Sequence, residues 1–277
     1  MAGNRPACEN GSVLRPDLAH RLIAATGGFA TNVWRLDSDT RSYALRVFRA
    51  HERPVLEREV AVMRAASASG IPVPGVHAIG MNDDRPALLI DWCPGTPLVE
   101  AARRQPWRLP SLAARLGRLH RHVNSVRAPA GLRSNWIDWP RAADAALSSH
   151  LQAVPMVHDR LLHMDFHPLN VLAQNGHLSA VLDWTNAHAG DPRADFARTV
   201  SILRLAPPLD EAAQRIARGL FEAFWRLGYG SPGRDMAAFY AWAGAALVHD
   251  LADRFAPAEL EPARRWTDSW RQRLQLR

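Results

Sequence analysis

The chain has 277 residues, 47% of them hydrophobic, which is enough to bury a substantial core as one large domain or two lobes. Its formal charge is +7 and all 34 basic residues are arginine; with no lysine, any task that needs a fixed cation falls to arginine. Those arginines are scattered among 27 acids, which argues against a nucleic-acid partner, and no apolar run approaches the ~20 residues that cross a bilayer, which argues against a membrane one.

The first fifteen residues lack the apolar segment of a secretory leader. The two cysteines, Cys8 and Cys93, make no disulfide framework, so the expectation is a soluble cytoplasmic protein. The first ninety residues read as mostly strand. Residues 32–37 (NVWRLD) and 42–49 (SYALRVFR) are rich in β-formers and flank a turn-like SDTR, which predicts a hairpin. Pro54 then opens a helix running to about Ser69, with Val55, Leu56, Val60 and Met63 at helical spacing, and Gly70, Pro72 and Pro74 stop it. Residues 76–79 and 87–91 predict a second strand pair around a polar turn at 82–85.

At residues 93–97 (CPGTP) the texture changes, and helical periodicity dominates in 109–123, 210–227 and 234–255. The predicted architecture is α+β and bilobal. A small β-rich lobe with one main helix (1–92) is joined to a larger, mostly helical lobe (93–277).

The most informative stretch, residues 163–195, lies between the helical patterns. Asp165 follows the short apolar approach Leu161–Leu162, so a loop presents its carboxylate. Val171 and Leu172 read as a strand, Asn175–Gly176 as a type I′ turn and residues 179–182 as the returning strand, which brings Asp183 beside Asn170. One carboxylate to orient or deprotonate a hydroxyl, with an amide and a second carboxylate to hold magnesium, is a working set for phosphoryl transfer from ATP. Singly, each aspartate reads as a loop-end cap; the joint spacing with Asn170 argues otherwise. A rival reading makes His163, Asp165 and His167 a zinc site with His177 or His188, a metal hydrolase, but leaves Asn170 and Asp183 without a role.

This segment resembles the catalytic loop and magnesium motif of the aminoglycoside phosphotransferase and choline kinase superfamily, whose fold is that of protein kinases. His163, Asp165, His167, Pro168, Asn170 and Asp183 match its pattern, as do Trp184, the Gly190–Asp191–Pro192 run and Asp195. The family form has glycine at Met164 and commonly at Leu169. The resemblance implies that Asp191 and Asp195 hold the following helix against the catalytic loop. It also implies that His120, in a helix beneath that loop, is a core or supporting histidine.

In the nucleotide half, the resemblance implies that Arg46 contacts the phosphates of ATP or GTP and that Glu59 holds it. A phosphate-covering turn at residues 27–32 would use Gly28 and Thr31, and backbone groups around Asp91 and Cys93 would meet the base. Family membership does not select the acceptor, a small-molecule alcohol such as an antibiotic or a metabolite. Residues 190–277 hold 11 acids against 13 arginines, which argues mildly against a polycationic aminoglycoside. His249, Asp250 and Asp253, read as one helical stretch, are candidate acceptor contacts, and most of the tryptophans are expected in the core. The expectation is a magnesium-dependent small-molecule O-phosphotransferase, monomeric or homodimeric. The alternative from another class is a nucleotide-binding pseudokinase, in which one of Asp165, Asn170 and Asp183 should be lost.

Overall fold

The structure, a computed structural model, describes residues 23–24, 32–138, 145–207 and 212–276. Its first part is an antiparallel sheet in the order β1-β2-β3-β5-β4. The strands are β1 (Ile23–Ala24), β2 (Asn32–Asp37), β3 (Ser42–Val47), β4 (Val76–Asn82) and β5 (Arg85–Asp91). Asn32 stands opposite Val47 in the expected first hairpin. The second hairpin turns on Asp83 and Asp84, at φ 47° and 60°, a left-handed conformation that aspartate tolerates.

Helix α1 (Arg53–Ala68) carries Pro54 in its first turn, where a missing N–H leaves no bond unmade. It buries Leu56, Val60 and Met63 in the same core as Phe48, Leu88 and Ile90 of the sheet. After β5 the chain passes Gly95, at φ 113°, where a Cβ would stand 2.5 Å from the carbonyl oxygen of Ala173. Only glycine allows that close pass. The next residues form β6 (Thr96–Pro97), which pairs with β8 (Val171–Gln174), itself paired with β9 (His177–Val181). The segment leaving the first sheet is therefore stitched to the hairpin within residues 163–195. Asn175 and Gly176 turn that hairpin at φ 52° and 81°, as a type I′ turn requires.

The rest is helical: α2 (Leu98–Arg104), α3 (Leu109–Ser125), α4 (Ala145–Ala153), α5 (Pro192–Leu205), α6 (Ala212–Tyr229), α7 (Met236–Leu251) and α8 (Glu261–Arg273). A short ladder of β7 (Arg160–Leu162) and β10 (His188–Gly190) brackets the site. Helix α5 runs through the centre and buries ten of its residues, so no exposed polar stripe betrays it in the sequence. Trp136, Trp184, Trp225 and Trp242 are fully buried, as expected of core tryptophans, whereas Trp107 is exposed. Trp139 lies outside the described residues. No described helix is long and apolar enough to cross a membrane.

Candidate active site

The loop after β7 is held from below by α5. Asp195, fully buried, accepts the backbone N–H of Met164 at 2.7 Å on one oxygen. Its other oxygen accepts His163 N and Asn124 Nδ2, both at 2.8 Å, and lies 3.0 Å from His120 Nε2. Burial alone would raise its pKa, but His120, His163 and Asn124 outweigh burial and hold it well below the carboxylate range. One turn further on, Thr199 Oγ1 donates to the Phe166 carbonyl at 2.9 Å and Arg198 Nε to the Met164 carbonyl at 3.4 Å. Positions 195, 198 and 199 share one helix face, so α5 fixes the loop backbone residue by residue. Asp191 caps the same helix by accepting Arg193 N at 2.9 Å and also accepts Val157 N at 3.0 Å.

Met164, which stands where the family form has glycine, has φ 67° and a wholly buried side chain. His163 is buried too. Its Nε2 donates to the Leu182 carbonyl at 3.0 Å and its Nδ1 accepts Asp165 N at 3.3 Å. Burial lowers its pKa, against the opposing pull of Asp195, Asp165 and Asp183. With both ring nitrogens engaged it cannot ligate a metal, which removes the zinc reading's first ligand. Among the described residues no group of three histidines, cysteines or acids is placed to hold a metal ion.

Asp165, Asn170 and Asp183 come together. Asn170 Nδ2 donates at 3.0 Å both to the Asp165 carbonyl and to its carboxylate. His167 Nε2 lies 3.3 Å from the other carboxylate oxygen. Burial works to raise the Asp165 pKa, but the bond and charge of His167, with Arg198 and His163, bring it down to about 2. Leu182 N donates to the Asn170 carbonyl at 2.8 Å, so Asp183 arrives next to Asn170. Asp183 adopts φ 59° and accepts Thr185 Oγ1 at 2.5 Å. Asn170 turns its nitrogen to Asp165, so its side-chain oxygen is not spent on that contact. One carboxylate and one amide oxygen suit magnesium, which keeps its remaining places for water and phosphate oxygens.

On the sheet side, Arg46 Nη1 meets Glu59 Oε1 at 2.5 Å, with the Glu59 side chain fully buried. Burial would lower the arginine's pKa, but the charges of Glu59 and Asp183 raise it. Glu59 Oε1 also accepts the backbone N–H of Trp184 at 3.3 Å, so the pair is fastened to the residue after Asp183. Asp91 uses its carboxylate inside the sheet, on Gly75 N at 2.9 Å and His77 Nε2 at 2.6 Å. The backbone N–H groups of Asp91 and Trp92 donate to the Gly75 and Ser42 carbonyls. Burial, then Asp91, pushes the Cys93 thiol up to about 11, so it stays protonated. Gly28 and Thr31 lie outside the described residues.

Sequence reasoning missed Thr185, which steadies Asp183, and Asn124, which bridges Asp195 to the Tyr229 hydroxyl at 2.9 Å. Asn124 had a signal: with His120 it puts polar groups at i and i+4 on the buried face of α3. The partly buried Arg198–Asp250 pair, at 2.6 Å, was also unforeseen. It turns Asp250 inward to a residue that touches the catalytic loop. His249 is exposed, and Asp253 lies beyond the end of α7 at Leu251, so the three acceptor candidates do not share one helix.

The model of the phosphotransferase enzyme family matches residues 21–232. No curated protein matches the chain. Solved structures similar to it include a thermostable mutant of aminoglycoside phosphotransferase APH(4)-Ia in ternary complex with AMP-PNP and hygromycin B. That structure is 19% identical, covers 90% of this chain and 92% of that one, and has a TM-score of 0.66. Spectinomycin phosphotransferase APH(9)-Ia with ADP and spectinomycin is 14% identical, covers 90% and 88%, and has a TM-score of 0.54. Macrolide 2′-phosphotransferase MphH from Brachybacterium faecium is 20% identical, covers 87% and 90%, and has a TM-score of 0.51. At such identities the likeness is one of fold, the protein-kinase-like arrangement of a small sheet and a larger helical part.

Proposed function

The chain belongs to the phosphotransferase enzyme family, and on that footing we propose that it moves the terminal phosphoryl group of ATP or GTP to a hydroxyl of a small molecule. Residues 1–92 form the nucleotide lobe in this reading and residues 93–277 the catalytic and acceptor lobe. Arg46, steadied by Glu59, sits on the phosphates, with the turn of Gly28 and Thr31 over them and the main chain around Asp91 and Cys93 on the base. Asn170 and Asp183 hold magnesium, which when bound neutralises charge on the phosphate oxygens.

Asp165 receives the hydrogen bond of the acceptor hydroxyl and aims its oxygen at the terminal phosphorus. The new P–O bond forms as the bond to the bridging oxygen breaks, and the nucleoside diphosphate leaves. A carboxylate with a pKa of about 2 is a weak base, so it orients the hydroxyl first and takes the proton late, once bond formation has made it acidic. The single observation that carries the proposal is the junction of Asp165, Asn170 and Asp183 through Asn170 Nδ2 and Leu182 N.

The acceptor is an antibiotic or metabolite alcohol; the near balance of acids and arginines in residues 190–277 favours one that is not polycationic. A cytoplasmic site of action, where nucleotide and magnesium are supplied, belongs to the same reading. The test is a panel of macrolides, aminoglycosides, spectinomycin and small alcohols incubated with nucleotide and magnesium, with products weighed by mass spectrometry. Addition of one phosphoryl group to a panel member supports the reading. Nucleotide binding with no transfer to any hydroxyl compound would count for the pseudokinase.

A further inference from the structure

Beside the paired strands β6 and β8 lies a cavity of about 410 Å³, within the range of small-molecule sites. Gly95 and Thr96, on the connection leaving the first sheet, line it together with residues 173–176 at the turn end of the β8–β9 hairpin. Arg104 of α2, Arg108 just before α3 and the buried Leu112 line it as well. Thr96 stands opposite Ala173 in the strand ladder, and Ser179 Oγ donates to the Pro94 carbonyl at 2.7 Å, so these walls are held in place by the protein's own bonds. The Asn175–Gly176 turn is at the other end of β8 from Asn170, ~15 Å away at the rise of a strand. The cavity is therefore separate from the junction of Asp165, Asn170 and Asp183.

No acid is among the described residues that line the cavity, whereas two arginines are. Arg104 Nη2 meets Glu100 Oε1 at 2.5 Å, an exposed pair one turn apart on α2 that holds little energy against a competing anion. Arg108 makes no ion pair among the described residues. Its place is nonetheless defined: a Cβ on Gly176 would collide with Arg108 Nη1, so the guanidinium lies directly against the hairpin turn. Gly176 admits it by having no side chain. The side-chain amides of Gln105, Gln174 and Asn175 line the same cavity and have no hydrogen bond to another described residue. A guanidinium fork among adaptable amides, with no carboxylate beside it, suits an oxyanion.

We propose that this cavity binds a small organic molecule through a phosphate or carboxylate group, with Arg108 as the principal contact and Arg104, Gln105 and Gln174 around it. A bare phosphate ion fills only part of the space, so the organic body of the ligand takes the rest, against Ala101, Leu112 and Ala173. Arg108 stands at the start of α3, and Gly95 and Thr96 belong to the connection between the first sheet and the helices. The bound molecule therefore braces that connection against the Asn175–Gly176 turn. Binding here needs neither nucleotide nor phosphoryl transfer, so this proposal and the phosphotransfer reading fail separately.

The experiment uses the full chain without nucleotide. Ribose 5-phosphate and citrate are the probes and ribose is the neutral control, each at low millimolar concentration and matched ionic strength. Amide hydrogen exchange locates the binding and calorimetry gives the affinity. A charged probe should slow exchange in the segments that contain residues 95–96 and 174–176. Arg108→Gln removes the fork, and Gln174→Glu sets a negative charge in the cavity at nearly equal size. Each should weaken the affinity about tenfold or more, the loss expected of a charge-assisted contact. Neither side chain has a protein partner, so neither change disturbs the fold. Protection by ribose 5-phosphate alone identifies a phosphate ligand, by citrate alone a carboxylate ligand, and by both the shared oxyanion chemistry; each upholds the site. No protection of these two segments by either probe, equal protection by ribose, or an affinity that either variant leaves within about twofold of the parent overturns the proposal.

Discussion

Glu59 takes one donor from each half of the molecule on the same oxygen: the Arg46 guanidinium at 2.5 Å and the Trp184 backbone N–H at 3.3 Å. A single buried carboxylate thereby sets the Arg46 cation of the first sheet against the turn that carries Asp183. Glu59→Ala leaves a buried arginine unpaired, and its stability should fall by about 3–5 kcal/mol. Nucleotide affinity should fall with it. Glu59→Gln keeps an acceptor for Trp184 N and should lose less. Urea unfolding and calorimetry check both, and a Glu59→Ala variant within about 1 kcal/mol of the parent would refute the linkage.

Met164 is held in a left-handed conformation with its side chain in the core. At most buried positions glycine is worse than alanine by about 1 kcal/mol. Here φ 67° reverses the order, since any Cβ is strained by about 1–2 kcal/mol. Met164→Ala should lose about 2–5 kcal/mol through the cavity and retain the strain. Met164→Gly should be no less stable than Met164→Ala, although it removes one more carbon. A clear ranking of alanine above glycine in denaturant midpoint would contradict the strain argument.

Asp195 accepts three hydrogen bonds in full burial and also contacts His120. Asparagine at this place would aim an N–H₂ at one of those donors. Asp195→Asn should therefore lose about 3 kcal/mol or more and reduce turnover by displacing the Asp165 loop. Because Asp195 does not line the reacting atoms, Km for nucleotide should change less than kcat. Parent-like turnover in this variant would mean that α5 does not fix the loop.

His188 predicts how stability responds to acid. Burial, with Arg133 and Arg58, brings its pKa from 6.5 to about 4. Between those values the unfolded chain binds a proton that the folded chain does not. Stability is therefore full above pH 6.5 and declines as the pH falls toward 4, by about 3 kcal/mol from this residue. His188→Gln should flatten that decline in chemical-denaturation curves taken at pH 7 and pH 5. An unchanged slope would assign the acid sensitivity elsewhere.

The first sheet was legible because its strands are short β-rich runs separated by polar turns: β2 begins and ends where residues 32–37 predict. α1 was equally plain from Pro54, its helical spacing and Gly70. The approach of Asn170 to Asp183 was legible because turn chemistry at Asn175–Gly176 fixes the register of the strands between them. α5 was less legible, since a helix buried on nearly every side has no period to detect. The Arg198–Asp250 pair joins residues 52 positions apart, a separation that no local pattern encodes. The left-handed Met164 was hidden for another reason: the residue type argues against the conformation, and only the Asp195 and core contacts impose it.

The central claim is that Asp165 orients the attacking hydroxyl while Asn170 and Asp183 serve the nucleotide's metal. It is tested most directly by measuring acceptor-dependent nucleoside diphosphate release and nucleotide affinity side by side in Asp165→Asn. The account predicts a loss of turnover of about 10²-fold or more with nucleotide affinity little changed. A variant that still transfers phosphate at near the parent rate would contradict it.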